Sequence, residues 1–323
     1  MIRFLFWRLL QCVLVLWVVY TVTFALLMLA PGDPFVGEKK ANPAVIKGLA
    51  EKYGLSYLAL SPEEKAKQSV MEKAGQMGEA YCRYLGRAVQ GDFGPTIQYE
   101  DWTVGEVIRS SLPVSVSLGS VALLLALLGG VAAGMVGGVY KGRWPDVVLA
   151  IVTLFGISLP TFVIGALLLM ALVVFVPLFP SGGWGRPVQM VLPAVTLAIF
   201  YLAYIARLVR SSTLDVLSAD FVRTARAKGL SRRAVIIHHL GANAGLPVLS
   251  YLGPAAANIL VGSFIVEKIF NIPGLGSHFV NACLNQDIPL VLGTVMVYTA
   301  AIVVFSLVID LAYAWVDPRI SLR

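Results

Sequence analysis

Side chains able to do chemistry are few in this 323-residue chain, and their spacing argues against catalysis. His238 and His239 are adjacent, so on a helix they diverge rather than converge on a metal, and His278 stands alone as a surface or packing residue. There is no HExxH pair and no GxxxxGK[ST] phosphate loop, which excludes a zinc-protease helix and ATP binding through a P-loop. Cys12, Cys82 and Cys283 show neither metal-ligand spacing nor a disulfide framework, and Cys82 can pair with Cys283 only if both face outside. A membrane hydrolase needs a nucleophile and a base inside its spans. The apolar runs offer serines but no ionisable partner except Asp310, near the end of the last run. Asp310 reads as an interfacial or capping aspartate in preference to a proton-relay carboxylate. The densest feature is instead a basic cluster: Asp220 to Pro247 carries Arg223, Arg226, Lys228, Arg232 and Arg233 between two long apolar runs. Each such charge costs about 2.5–3.5 kcal/mol in hydrocarbon even on a lenient scale, so this stretch is a loop in water.

The elements around that loop follow from composition. The chain is 58% hydrophobic and 13% charged, with a mean hydropathy of +0.81. A soluble domain carries about 25% charged residues, so the class is a polytopic helical membrane protein, and the net charge of +7 is to be read through topology rather than as a nucleic-acid footprint. Six segments are long enough to cross a bilayer: Leu9–Ala30, Leu112–Tyr140, Val147–Phe179, Val188–Ala206, Ala242–Val266 and Leu290–Tyr313. The first is too long for a signal-peptide core and lacks a cleavage site, so it reads as a retained span. The second and third exceed what a bilayer needs, which predicts tilt or turns at their ends. Basic residues fall at Arg3 and Arg8, at Lys141 and Arg143, in the central loop and at Arg319 and Arg323, while the opposite short loops hold only Arg186 and Lys268. The positive-inside rule then puts both termini in the cytoplasm. Residues 31–111 form the one sizeable soluble region, with ten basic and eleven acidic residues, compatible with translocation outside. Within it, Ser61–Glu79 has strong helix formers after a Ser-Pro start, which predicts a surface helix.

Two motifs remain. Gly130, Gly134 and Gly138 make overlapping GxxxG spacings in the second span, with Ala133 and Gly137 beside them, so another helix can approach closely. The spacing fits static packing and a helix that moves against its partners equally well. In the central loop, residues 219–228 have the pattern of a short helix, with Arg226 and Lys228 in its last turn and Gly229 at the left-handed cap. Ala225, one turn before Gly229, gives it a small-residue surface flanked by basic side chains. Phe221, Val222 and Leu230 are apolar residues with no membrane to enter, which favours a docking element over a merely solvated loop.

Several stretches in this order are similar to one family. They are APGDP (Ala30–Pro34), GDFGPT (Gly91–Thr96), ISLPTF (Ile157–Phe162), FPSGG (Phe179–Gly183), RLVRSSTLDVL (Arg207–Leu217), VEKIFNIPGLG (Val266–Gly276), NQDIPLVLG (Asn285–Gly293) and DPRI (Asp317–Ile320). The chain resembles permease subunits of the dipeptide/oligopeptide/nickel family of ABC importers over nearly its whole length. The resemblance implies an all-α polytopic membrane protein with six transmembrane helices and the type I ABC importer permease fold. Its parts would be an N-terminal helix (1–30), an external region (31–111), a five-helix core (112–316) with a cytoplasmic loop at 207–241, and a cytoplasmic tail (317–323). It implies a coupling helix at Asp220, Phe221, Arg223, Thr224, Ala225, Arg226, Lys228 and Gly229, loop re-entry at Asn243 and Pro247, and an outer gate-side segment at Glu267, Pro273, Gly274, Gly276 and Asp287. It further implies a second, different permease subunit, two ATPases and an external substrate-binding protein, with the bilayer as surroundings and no nucleic acid. This chain would bind no cofactor, ATP and Mg residing on the ATPases. The chain departs from the family at Arg223-Thr224-Ala225 (for Glu-Ala-Ala), at Gly241-Ala242 (for a Leu-basic pair) and at Gln286, where the arginine of an outer salt bridge to Asp287 is expected. An insertion around residues 56–76 enlarges the external region. A stand-alone channel or ion-coupled carrier is the alternative reading, distinguished by movement of solute without ATPases.

Overall fold

The computed structural model describes residues 2–29, 70–99, 102–229, 241–261 and 263–316. Among these the protein is all-helical, with no strand beyond one isolated antiparallel bridge between Pro95 and Thr103. In chain order the helices are α1 (Ile2–Leu29), α2 (Val70–Ala88), α3 (Val104–Val139), α4 (Trp144–Ser158), α5 (Thr161–Leu169), α6 (Pro187–Ser218), α7 (Asp220–Ala227), α8 (Gly241–Val261), α9 (Phe264–Ile269), α10 (Leu275–Leu284) and α11 (Ile288–Val316). A π-helical turn, Met170–Phe175, extends α5. Four helical stretches are long and apolar enough to cross a membrane: Phe6–Met28, Val104–Val139, Pro187–Ser218 and Ile288–Val308. Counting α4 with α5 and its π-turn as one bent span makes five.

The expected third span, Val147–Phe179, is therefore not one helix. Its two halves are bent by 110°, and the cause is local. Leu159 precedes Pro160 and takes the extended conformation (ψ 133°) that a residue before proline prefers. Pro160 then caps the start of α5. The expected second span starts earlier than Leu112, because Thr103 and Glu106 form a reciprocal capping box that opens α3 at Val104. The fourth does not stop at Ala206: α6 opens with Pro187 at its first position and continues for 32 residues, through the arginines, to Ser218. In place of the fifth, α8 carries Pro247 and Pro254 and ends at Val261, before the separate short helix α9. The helix expected over Ser61–Glu79 is described from Val70 and runs on to Ala88, while its Ser-Pro start, most of the 56–76 insertion and Ala30–Pro34 lie outside the described residues.

The chain clusters into two compact units. One comprises Met1–Pro113 and Gly274–Ala301. Its core joins Tyr20 and Phe24 of α1, Ala80, Tyr84 and Ala88 of α2 at helical spacing, and Ile288 and Leu292 of α11. The Tyr20 hydroxyl donates to the Tyr81 carbonyl (2.9 Å), and the Tyr84 hydroxyl lies within hydrogen-bond reach of the Phe93 and Pro289 carbonyls (3.1 and 3.2 Å). Two phenols thus tie α2 to both α1 and α11. The other unit comprises Val114–Pro273 and Ile302–Arg323. It packs α3 and α6 with α8, α9 and the π-turn around Leu118, Ala122, Ala126, Leu197, Ile205, Ile259 and Phe270. Large apolar side chains such as Leu124, Leu128, Val152, Phe155 and Phe162 remain exposed on its long helices, as hydrocarbon surroundings allow.

Candidate functional site

The short helix α7 begins where α6 ends. Ala219 leaves the helical conformation (ψ 149°), and its carbonyl accepts from the Val222 N–H (3.0 Å). Two residues fix how α7 lies. Val222 is 1% exposed and Ala225 8%, and both pack with Val216 and Leu217 of α6 and Met135 of α3. The outward face is Phe221, 45% exposed, with Arg223, Thr224 and Lys228 beside it. Asp220 and Arg223 approach at 3.5 Å, a solvated i,i+3 pair on an exposed surface. Gly229 takes φ +84°, a left-handed turn that ends the element after its basic last turn. The small-residue surface expected at Ala225 therefore faces the protein's own core, and the exposed face of α7 is aromatic and basic instead. The side chains of Arg226 and Asn243 and all of residues 230–240, with Arg232, Arg233, His238 and His239, lie outside the described residues. Pro247 is half-buried within α8.

Beneath α7, the glycines of α3 meet α6 at backbone distance. A Cβ at Gly130 would lie 2.9 Å from the Leu202 carbonyl oxygen, at Gly134 2.5 Å from that of Ala206, and at Gly138 3.1 Å from that of Arg210. Only glycine permits this approach, so the GxxxG stripe is a helix–helix seam. One turn further along, Arg210 forks onto Asp146 in the first turn of α4. Its Nη2 donates to Oδ2 at 2.9 Å and its Nε to Oδ1. The Gly142 N–H also donates to Asp146 Oδ2 (2.9 Å). Sequence reasoning missed this pair, although a lone acid at the head of an apolar run beside Lys141 and Arg143 was a visible signal.

The residues expected on the outer gate side divide between the two units. In the larger one, Glu267 of α9 is fully buried and accepts hydrogen bonds from Ser115 Oγ of α3 (2.7 Å) and from Ser263 Oγ. The FPSGG turn joins α9 through the Gly183 N–H, which donates to the Phe270 carbonyl (2.8 Å). Pro273 is exposed. In the smaller unit, Gly274 caps α10 and is buried, as is Gly276. Asp287, also fully buried, caps α11 by accepting the Leu290 N–H (3.1 Å) and holds the loop after α2 by accepting those of Ile97 (2.9 Å) and Gln98 (3.0 Å). Burial pushes its carboxyl above the ordinary range, against these three N–H groups. Backbone donors thus occupy the carboxylate beside Gln286, the position at which an arginine was expected. His278 Nδ1 lies 2.9 Å from the Tyr99 hydroxyl, and burial holds its imidazole below the usual value.

No group of three or more His, Cys, Asp or Glu among the described residues is placed to hold a metal. Cys82 and Cys283 are both exposed and free. The Asp310 side chain is outside the described set. What the arrangement offers is mechanical: an exposed helix seated on a tightly packed bundle. That defines a multi-pass helical membrane protein. Residues 107–322 match the family model of the binding-protein-dependent transport system inner membrane component, and the chain belongs to that family. It is similar to the oligopeptide transport system permease protein OppB of Salmonella typhimurium, with 38% identity over 99% of each chain. It is also similar to the dipeptide transport system permease proteins DppB of Bacillus subtilis (36% identity; 98% of this chain, 96% of that one) and of Lactococcus lactis (35%; all of both chains). The chain is thus a permease subunit of the ABC importer class in the bacterial inner membrane, a transport component and not an enzyme.

Proposed function

We propose that this chain forms half of a pathway for peptides, with both termini cytoplasmic and six spans: the four long helices, the bent α4–α5 pair and α8. Peptide is the cargo class because relatives over the full length are named for oligopeptide and dipeptide transport. A second permease subunit completes the pathway, an external binding protein delivers the peptide, and two ATPases hold the ATP and Mg. The chain itself needs no cofactor. The observation that carries this reading is the posture of α7. Its inner edge, Val222 and Ala225, is anchored in the bundle, while Phe221, Thr224 and Lys228 face out. An aromatic anchor with basic neighbours is the make-up of a protein-docking face. ATPase closure would displace α7, and the seam beneath it would carry that displacement into α3 and α6 as a rigid-body change of access.

The test is disulfide or bifunctional crosslinking in the assembled importer. Phe221→Cys or Thr224→Cys is expected to crosslink to an ATPase subunit, and Pro273→Cys to react only with impermeant reagents added outside. Labelling of Thr224→Cys from outside, with no crosslink to an ATPase, sinks the reading. The carrier alternative gains if the purified chain alone moves peptide in vesicles.

A further inference from the structure

The first turn of α4 is poorly held by apolar burial. Trp144 is 76% exposed, Val147 53% and Val148 48%, yet Asp146 among them is only 6% exposed. What fixes this end of α4 is the fork from Arg210. Two parallel N–H···O bonds set the orientation of both partners, where a single contact would set only their separation. The third donor, the Gly142 N–H, brings the α3–α4 turn into the same carboxylate. On α6, Arg210 stands two turns before the terminal Ser218. Its carbonyl and Thr213 close the seam against Gly138 of α3. One turn on, Val216 and Leu217 receive the inner edge of α7. Arg210 therefore ties the end of α3 and the start of α4 to α6, two turns before that helix ends in the seat of α7.

We infer that the Asp146–Arg210 pair is a positioning element of the transport cycle: it binds the end of α4 to the α3–α6 seam, so that displacement of α7 carries three membrane helices as one body. The inference rests on the reading of α7 as the ATPase-contacting helix. Without the fork, α3 and α6 still move together through their glycine seam, while α4 keeps the Gly142 N–H on Asp146 and Leu149 against Gly137 at this end, and its next close approach to α6 is Gly156 against Ala203, more than two turns away.

The test uses the complete importer in nanodiscs, with this chain's three native cysteines replaced by serine. Nitroxide labels are placed at Trp144→Cys on α4 and Thr224→Cys on α7, and distances are measured by pulsed EPR without nucleotide and after trapping with ATP and vanadate. With the native pair, the label distance is expected to change by less than about 2 Å on trapping, the scale of small helix shifts within one body. In Asp146→Asn the resting distance stays native, while the trapped state shifts by more than that or splits into two populations. Arg210→Lys, which keeps the charge and loses the fork, falls between the two, and it carries the test if Asp146→Asn does not assemble. Trapped distances in both variants that match the native chain overturn the inference. So does an equal change already present without nucleotide, which marks a pair that serves the fold alone. If Phe221→Cys does not crosslink to an ATPase in the native background, the docking reading falls and this inference with it. A native crosslink with unmoved variants removes the inference only.

Discussion

Replacing Gly134 by alanine tests the glycine seam between α3 and α6. Alanine favours a helix over glycine by about 1 kcal/mol, so an open site would be stabilised. The new Cβ would lie 2.5 Å from the Ala206 carbonyl oxygen, 2.7 Å from Val209 Cβ and 3.1 Å from Ala206 Cα. None of these atoms is the tip of a flexible side chain, so the helices must part by about 1 Å to reach ordinary contact, which forfeits up to half of each dispersion well along the seam. Overpacking of this kind costs about 1–3 kcal/mol, and here the upper end applies because backbone is in the way. The net effect is a loss of about 2 kcal/mol. Gly129 supplies the control: its Cβ would meet Leu202 Cδ1 at 2.8 Å and little else. A leucine tip rotates for under about 1 kcal/mol, so Gly129→Ala is close to neutral. The assay is thermal unfolding of the purified importer in one detergent, where soluble-protein scaling of about 2–4 °C per kcal/mol puts Gly134→Ala about 4–8 °C below the native chain. A Gly134→Ala midpoint at or above native, or a Gly129→Ala loss as large, refutes the reasoning.

Three further outcomes follow from named contacts. Glu267→Ala removes the acceptor of Ser115 and Ser263 in a buried site, costing about 1–3 kcal/mol, whereas Glu267→Gln keeps an oxygen there and costs less; equal melting of the two variants would count against the clasp. Below pH 6.5 the unfolded chain protonates His278 before the folded one does, so stability falls as pH drops from 6.5 through the lowered folded value, by up to about 1.4 kcal/mol per pH unit. Melting from pH 7.5 to 5 should show that slope, and His278→Gln should flatten it. Ala225→Leu crowds Val216, Leu217 and Met135 and tilts α7 off its seat, so peptide uptake by the reconstituted importer should drop severalfold at unchanged assembly, and native uptake would show that the seat tolerates displacement.

How much of this was legible in the sequence depended on the range of the deciding interaction. The long apolar helices, the α7 pattern and its Gly229 cap are local or compositional, and they could be read directly. The start of α3 was also local: Thr103 and Glu106 have capping-box spacing, but a hydropathy window centred on the bilayer passes over a polar turn. The break at Leu159-Pro160 was written in a dipeptide and hidden by the apolar residues on both sides. The length of α6 was obscured for the opposite reason. Arginine looks like an end to a span, yet Arg207 is exposed and Arg210 finds Asp146, 64 residues away, so the helix continues past both. The direction of Ala225 was not legible at all. Small residues suit a partner's surface and a tight internal seat equally, and the choice is made by Met135, on a helix distant in sequence. That inward choice changes what α7 would offer the ATPase proposed to dock on it. A surface of alanine and glycine would admit a close-packed helix and slide easily, whereas Phe221 with Thr224 and Lys228 is suited to insert into a pocket and resist being pulled out. If α7 couples to an ATPase as proposed, a helix that must be pulled as well as pushed during ATP binding and release needs the second kind of face, anchored from within by Val222 and Ala225.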